Sequence, residues 1–268
     1  AKNMAIIKKH NELYKQGKSS FMLGPTVMSD MTKEDMDSEF PAIKFNDTDY
    51  PLPPNLTESS VKSINWVDKN AVTKVRNLRK DGVCRAAAGA SSVANVLEAL
   101  VKMRRKKLLT LSMQELLDCG DTVCGGVGNF EKYSDYIMKN KGLVTEKNYP
   151  YVKKRQACTA AGKRFGRVNF VLTPRHTTSM IFKALLAKGP IATRILVTEN
   201  FVNYKEGIFR DQCEYGYYSH TVLAVGFTED YILLKNSWGT DWGEKGYMRI
   251  SVHQSENCNI YLQLFAVI

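Results

Sequence analysis

The sequence predicts an α+β protein whose two lobes meet along a groove, preceded by a separate N-terminal segment. Three observations carry that prediction. A chain of 268 residues with 44% hydrophobic content can bury a sizeable core. Apolar residues keep a helical period in the first part of the main region and give way to short β-rich runs from about Asn169 onward. The stretch Tyr50-Pro51-Leu52-Pro53-Pro54-Asn55 cannot continue a helix, reads as an extended linker, and sets the first ~50 residues apart.

Taken in chain order, Ile6, Ile7, Leu13 and Tyr14 fit a short amphipathic helix ending near Gly17. Thr32-Lys33-Glu34-Asp35 has the form of a capping box that opens another turn. After the linker, Val93, Leu97, Leu100 and Val101 follow the i, i+4, i+7, i+8 stripe of a buried helical face, and the small residues before them permit close packing. This is the expected central helix. Runs over 169–172, 191–197, 221–227, 231–234, 247–250 and 261–268 read as strands. One helix carrying Ile181, Leu185 and Leu186 interrupts them and stops at Gly189-Pro190. The chain shows neither internal repeats nor low-complexity tracts.

Composition narrows the function classes. No apolar run approaches the roughly 20 residues that cross a bilayer, so no membrane span is expected. The start, Ala1-Lys2-Asn3-Met4, has no signal-peptide pattern, as expected of a trimmed product. Six cysteines without zinc-type spacing are most simply three disulfides in an oxidising compartment, with no metal and no cofactor. The sequons at Asn46 and Asn55 agree with a secretory route, secreted or endolysosomal. A net charge of +11 would attract polyanions, with Arg104-Arg105-Lys106-Lys107 the densest cluster; a solvated helix end accounts for the same run. The absence of interleaved aromatics speaks against nucleic acid.

Lys235-Asn236-Ser237-Trp238-Gly239, followed by Trp242-Gly243, resembles the asparagine segment of papain-family cysteine proteases, and Ser219-His220-Thr221-Val222 resembles their histidine strand. The likeness extends through Ile64-Asn65-Trp66, Ala71-Val72-Thr73, the run 111–119, Tyr149-Pro150-Tyr151 and Tyr204-Lys205-Glu206-Gly207-Ile208. Upstream, Asn3, Ile7 and Asn11 match the end of the family's proregion helix, and residues 24–30 resemble its G-x-N-x-F-x-D motif with Thr and Met substituted. The resemblance implies a papain-like fold. Residues 1–58 would be the carboxyl part of a cathepsin L-type inhibitory prosegment lying in the cleft. Residues 59–168 would form a mainly helical lobe and 169–268 a mainly antiparallel β-barrel lobe. It also implies the disulfides Cys84–Cys124, Cys119–Cys158 and Cys213–Cys258.

In that family a thiolate attacks the peptide carbonyl, a histidine holds it as an ion pair, and an asparagine fixes the imidazole. His220 and Asn236 match two of these residues, and Trp238 would shield their hydrogen bond. The nucleophile falls on Ala87 when counted forward from Cys84 and on Ala88 when counted back from Glu98. Either register yields alanine. The tryptophan after the nucleophile is missing, the oxyanion-hole glutamine falls on Asp81, and the substrate-backbone glycines, represented by Gly125 and Gly126, look displaced. The expectation is therefore a non-enzymatic protein that binds a protein, peptide or glycosaminoglycan-like polyanion, of open oligomeric state. The alternative is an active cysteine endopeptidase with Cys84 as nucleophile beside His220 and Asn236; cysteine parity opposes it, because it would orphan Cys124.

Overall fold

The computed structural model describes residues 2–40, 59–78, 84–120, 124, 127–169, 171–213 and 219–267. The linker at 50–55, the sequons at Asn46 and Asn55, and Asp81, Gly125 and Gly126 lie outside the described residues.

The N-terminal segment opens with α1 (Lys2–Lys15), then β1 (Phe21–Leu23) and α2 (Lys33–Glu39). The capping box at α2 forms as expected: the Thr32 side chain accepts from the Asp35 N–H while the Asp35 carboxylate accepts from the Thr32 N–H. Asn11 ties α1 to β1 by bonding both the N–H and the C=O of Leu23, at 2.9 and 2.8 Å.

The central helix is α3 (Ala87–Arg105), buried from Ala87 through Val101 because small residues on all sides let its neighbours approach. It ends at Lys106 in the left-handed conformation, with Lys102, Arg104 and Arg105 in its last turn, where cations suit the helix dipole. Beside it lie α4 (Met113–Glu115), continued by a wider turn over 116–120, and α5 (Phe130–Asn140). Leu97, Leu116, Phe130 and Tyr133 belong to the core of this helical lobe.

The remaining elements are β2 (Ile64–Asn65), β3 (Val171–Leu172), α6 (Ser179–Leu186), β4 (Ile191–Leu196), α7 (Glu199–Val202), β5 (Tyr204–Phe209), β6 (Ser219–Phe227), β7 (Tyr231–Lys235), β8 (Tyr247–Ser251) and β9 (Leu264–Val267). The strands run in the order β1-β5-β8-β7-β6-β4-β9-β3, with β2 added to β6. The structure adds elements that the sequence reading did not name, among them β5 and a second helix within the strand-rich part, α7, and it alters others. The expected strand 261–268 shortens to β9, since 261–263 are taken up by turn and bridge. The pairing of β5 with β8 is parallel rather than antiparallel, which the long connection over 210–246 permits. Among described residues no helix is long and apolar enough to cross a membrane.

The N-terminal segment is built into the β lobe. Ile7, Phe21, Met28, Met36 and Phe40 share one apolar cluster with Phe182, Phe209 and Trp238. Strand β1 lies antiparallel to β5, Phe21 opposite Gly207. Gly207 has φ +97°, and a Cβ there would sit 2.4 Å from the Ser20 carbonyl oxygen, so only glycine lets the strands meet.

Gly207→Ala is expected to cost roughly 1–3 kcal/mol through the forced positive φ and this collision. Limited proteolysis should then cut within residues 2–40 faster than in the unaltered chain while 60–268 stays resistant; equal rates would refute the docking role.

Candidate functional site

The site lies where α3 begins, against β6 and the segment that follows β7. The register of β4 on β6 sets Ile195 opposite His220, and the β6–β7 hairpin brings Leu223 opposite Lys235, so Asn236 emerges beside the histidine. His220 Nε2 lies 2.9 Å from Asn236 Oδ1. That oxygen also accepts from the Ser237 N–H at 2.7 Å, which fixes the amide orientation and leaves His220 Nε2 as the donor. The other ring nitrogen, Nδ1, is thereby the acceptor in a neutral imidazole.

Trp238 covers this pair: its ring lies 4.8 Å from that of His220, and both residues are buried. Phe201 and Trp242 meet Trp238 edge-on at 5.4 and 5.3 Å, holding the indole in place. Phe40, from the N-terminal segment, packs 5.7 Å from Trp238 and 6.1 Å from His220. Nothing in the sequence pointed to Phe40, which directly follows α2 and lies outside any helical stripe.

Ala87 and Ala88 line the same small cavity as His220, together with Phe40, Val127 and Trp238. Its volume is about 40 Å³, far below the roughly 300 Å³ at which ligand pockets begin. Both alanines are buried, and both registers expected for the nucleophile therefore fall at this cavity. The next residue, Gly89, has the Val127 carbonyl oxygen 2.4 Å from where a Cβ would stand. No side chain fits there without displacing the loop.

The six cysteines form Cys84–Cys124, Cys119–Cys158 and Cys213–Cys258, the expected pairs, and none is free. Cys84 borders the cavity but is bonded to Cys124, and the adjoining Arg85 N–H donates to the Cys124 carbonyl at 3.1 Å. Asp211 with Cys213 and Cys258 makes a cluster of metal-ligand type, yet the two sulfurs are spent on each other and leave one carboxylate.

Residues 60–268 match the domain described as papain family cysteine protease. The chain belongs to that family. It is 32% identical to cathepsin L of Sarcophaga peregrina, covering 96% of this chain and 81% of that protein. Chymomexicain of Jacaratia mexicana is 38% identical over 75% of this chain and 94% of its own length. The solved digestive procathepsin L2 of Tenebrio molitor superposes with a TM-score of 0.85 at 26% identity, over 99% of this chain and 90% of that one. The likeness thus takes in the N-terminal segment as well as the papain-family domain.

Two buried polar groups position this papain-family site. Arg194, on β4 and 4% exposed, donates to the Val127 carbonyl and Thr221 Oγ1 at 2.6 Å each, to the Gly128 carbonyl, and to Gln263 Oε1 at 3.2 Å. Its guanidinium lies 4.4 Å over the Phe130 ring. Carbonyl oxygens and a π-face make this burial of a charge tolerable. The side chain pins the Val127–Gly128 loop of one lobe to the sheet of the other. A charge inside the apolar run 191–197 was the signal that could have exposed it.

The second is Lys235, buried next to Asn236, whose Nζ donates to Asn95 Oδ1 at 2.5 Å and to Thr73 Oγ1 at 3.4 Å. Burial pushes its ammonium down to about 8, opposed by the nearby Glu98. Burial likewise raises the Glu98 carboxyl, against the pull of Arg76 and the hydrogen bonds from Thr73 and the Leu111 N–H. Burial shifts both groups toward their neutral forms.

Arg194→Met should strand carbonyls now satisfied by the guanidinium, costing roughly 1–3 kcal/mol for each; chemical denaturation reads the loss, and an unchanged midpoint would contradict the clamp. Because Lys235 releases its proton at about 8 in the fold and near 10.5 when unfolded, the unfolded chain binds more protons between those values. Stability is therefore expected to rise from pH 8 to 10, by up to about 1.4 kcal/mol per pH unit from this group. Lys235→Met should flatten that rise.

Proposed function

We propose that this chain is a proteolytically inactive member of the papain family that acts by binding a protein, peptide or polyanion partner, with residues 1–58 retained as a prosegment. The observation that carries the reading is the bond between Cys84 and Cys124, which leaves no thiol beside His220. The helix start at that cavity offers only the methyl side chains of Ala87 and Ala88. His220 and Asn236 still hold the imidazole in position, but peptide cleavage of this kind needs an atom that attacks the carbonyl. Removing a nucleophile from a comparable serine protease costs on the order of a millionfold in rate.

Phe40 against His220 supports retention of the prosegment, since a chain without a nucleophile cannot cut itself free. Three disulfides and the sequons at Asn46 and Asn55 support a secreted or endolysosomal glycoprotein. Binding of partners is compatible with a cleft held by packing and crosslinks rather than by catalytic residues.

A second reading is favoured by the relatives' names, which are those of proteinases, and by the place of Cys84 at the cavity edge. In it, an external dithiol reduces the bond to Cys124, itself becoming a disulfide, and the freed Cys84 thiol serves as nucleophile with His220 and Asn236. Cys84→Ser separates the two. Under the inactive reading it lowers stability by roughly 2–5 kcal/mol, while peptide hydrolysis stays at background before and after. The unaltered protein should take up no thiol-directed epoxide, titrate no free thiol in denaturant, and keep its mass at acidic pH. Epoxide labelling at Cys84, or hydrolysis that Cys84→Ser abolishes, would overturn the proposal.

A further inference from the structure

Away from the cleft, the carboxyl end of α3 collects positive charge from three separate stretches of chain. Arg104, Arg105, Lys106 and Lys107 are exposed at the helix end. Lys163 and Arg167 are exposed on the segment that passes beside it, and Arg104 donates to the Arg167 carbonyl at 2.6 Å. The Arg105 guanidinium and the Lys163 ammonium lie 5.5 and 5.7 Å from the centre of the same Phe165 ring. Lys188 is exposed next to Gly189, whose Cβ position is 3.3 Å from Met103 Cε on α3. No acidic residue occurs in 99–110, 160–169 or 187–190, so the charge these stretches bring is all positive.

A solvated helix end explains the residues of α3 alone, since cations there suit the dipole. It does not explain why two further stretches add only positive charge, nor why the ring of Phe165 holds Arg105 and Lys163 together. We propose that this surface is a binding site for a sulfated polysaccharide. A linear chain of sulfates gains by releasing condensed counterions at each contact, and arginines present the paired donors that suit sulfate oxygens. Exposed large apolar residues, which a membrane surface would require, are absent from these stretches among the described residues. Nucleic-acid binding would use stacking aromatics, and Phe165 is already flanked by cations. Three disulfides are in keeping with an oxidising setting, where sulfated glycans are the abundant polyanions.

The inference deepens the binding-protein reading by naming one ligand class, and it rests on residues remote from Cys84. The test is binding of the full chain to heparin across a salt series, with unsulfated hyaluronan, single-stranded DNA and phosphatidylserine vesicles as comparisons. Replacing Arg104, Arg105, Lys107 and Lys163 by alanine should weaken heparin binding at least ~10-fold and flatten its salt dependence by roughly one in slope per lost contact. Replacing the exposed Lys8, Lys9, Lys33 and Lys245 removes equal charge elsewhere and should change binding less than ~3-fold, as expected for sites outside the contact. Circular dichroism checks that both variants remain folded. Equal losses in the two variants, or DNA or vesicles binding as tightly as heparin, would overturn the site. A chain that takes up the thiol probe yet binds heparin through these residues sinks the inactive reading alone; one without a thiol that ignores heparin sinks this proposal alone.

Discussion

The crosslink between Cys84 and Cys124 is the constraint on which the rest of the cleft depends. It closes a loop of 40 residues and so restricts the unfolded chain, a gain of about 3–4 kcal/mol in the chain-entropy account. In the folded chain it joins the entrance of α3 to the loop that runs on to Val127. Ala87 and Ala88 are thereby held at the cavity of His220, and the Val127 carbonyl is brought over Gly89. The same bond engages the Cys84 sulfur, which borders that cavity.

Around that crosslink, polar groups add direction to the apolar packing between the lobes, in which Val93 and Leu97 share a cluster with Leu223, Val225 and Phe265. Arg194 reaches from β4 to Val127 and Gly128, and through Gln263 it connects to Glu131, which also accepts from Arg175. Lys235 reaches from the end of β7 to Asn95 on α3, beside Glu98. Such groups are costly to bury and are directional, so their satisfaction selects one arrangement of the lobes where apolar packing would accept several. None of them depends on a thiol.

The N-terminal segment occupies that groove by ordinary means. Strand β1 extends the sheet, Asn11 satisfies the backbone of Leu23, and Phe40 completes the aromatic cluster over His220. The segment buries apolar residues in the same core as the β lobe, so its removal would expose Phe209 and Trp238 as well as free the cleft. Release is therefore coupled to the stability of the lobe it covers.

Much of this was legible in the chain itself. The stripe through Val93, Leu97, Leu100 and Val101 announces α3 and the Thr32 box announces α2, because each depends on neighbours close in sequence. The pairing of His220 with Asn236 is implied instead by the resemblance of their two motifs to the papain family and is made by the β6–β7 hairpin. That alanine stands at both candidate nucleophile positions is a property of the sequence alone. Phe40 beside His220, β1 beside β5, and Arg194 across to Val127 join residues far apart along the chain, and no local period records them. The fate of Cys84 is of the same kind. The family resemblance names Cys124 as its partner, but a disulfide forms only where two backbones converge, here with Cα atoms 4.8 Å apart, and that convergence exists only once the chain has packed.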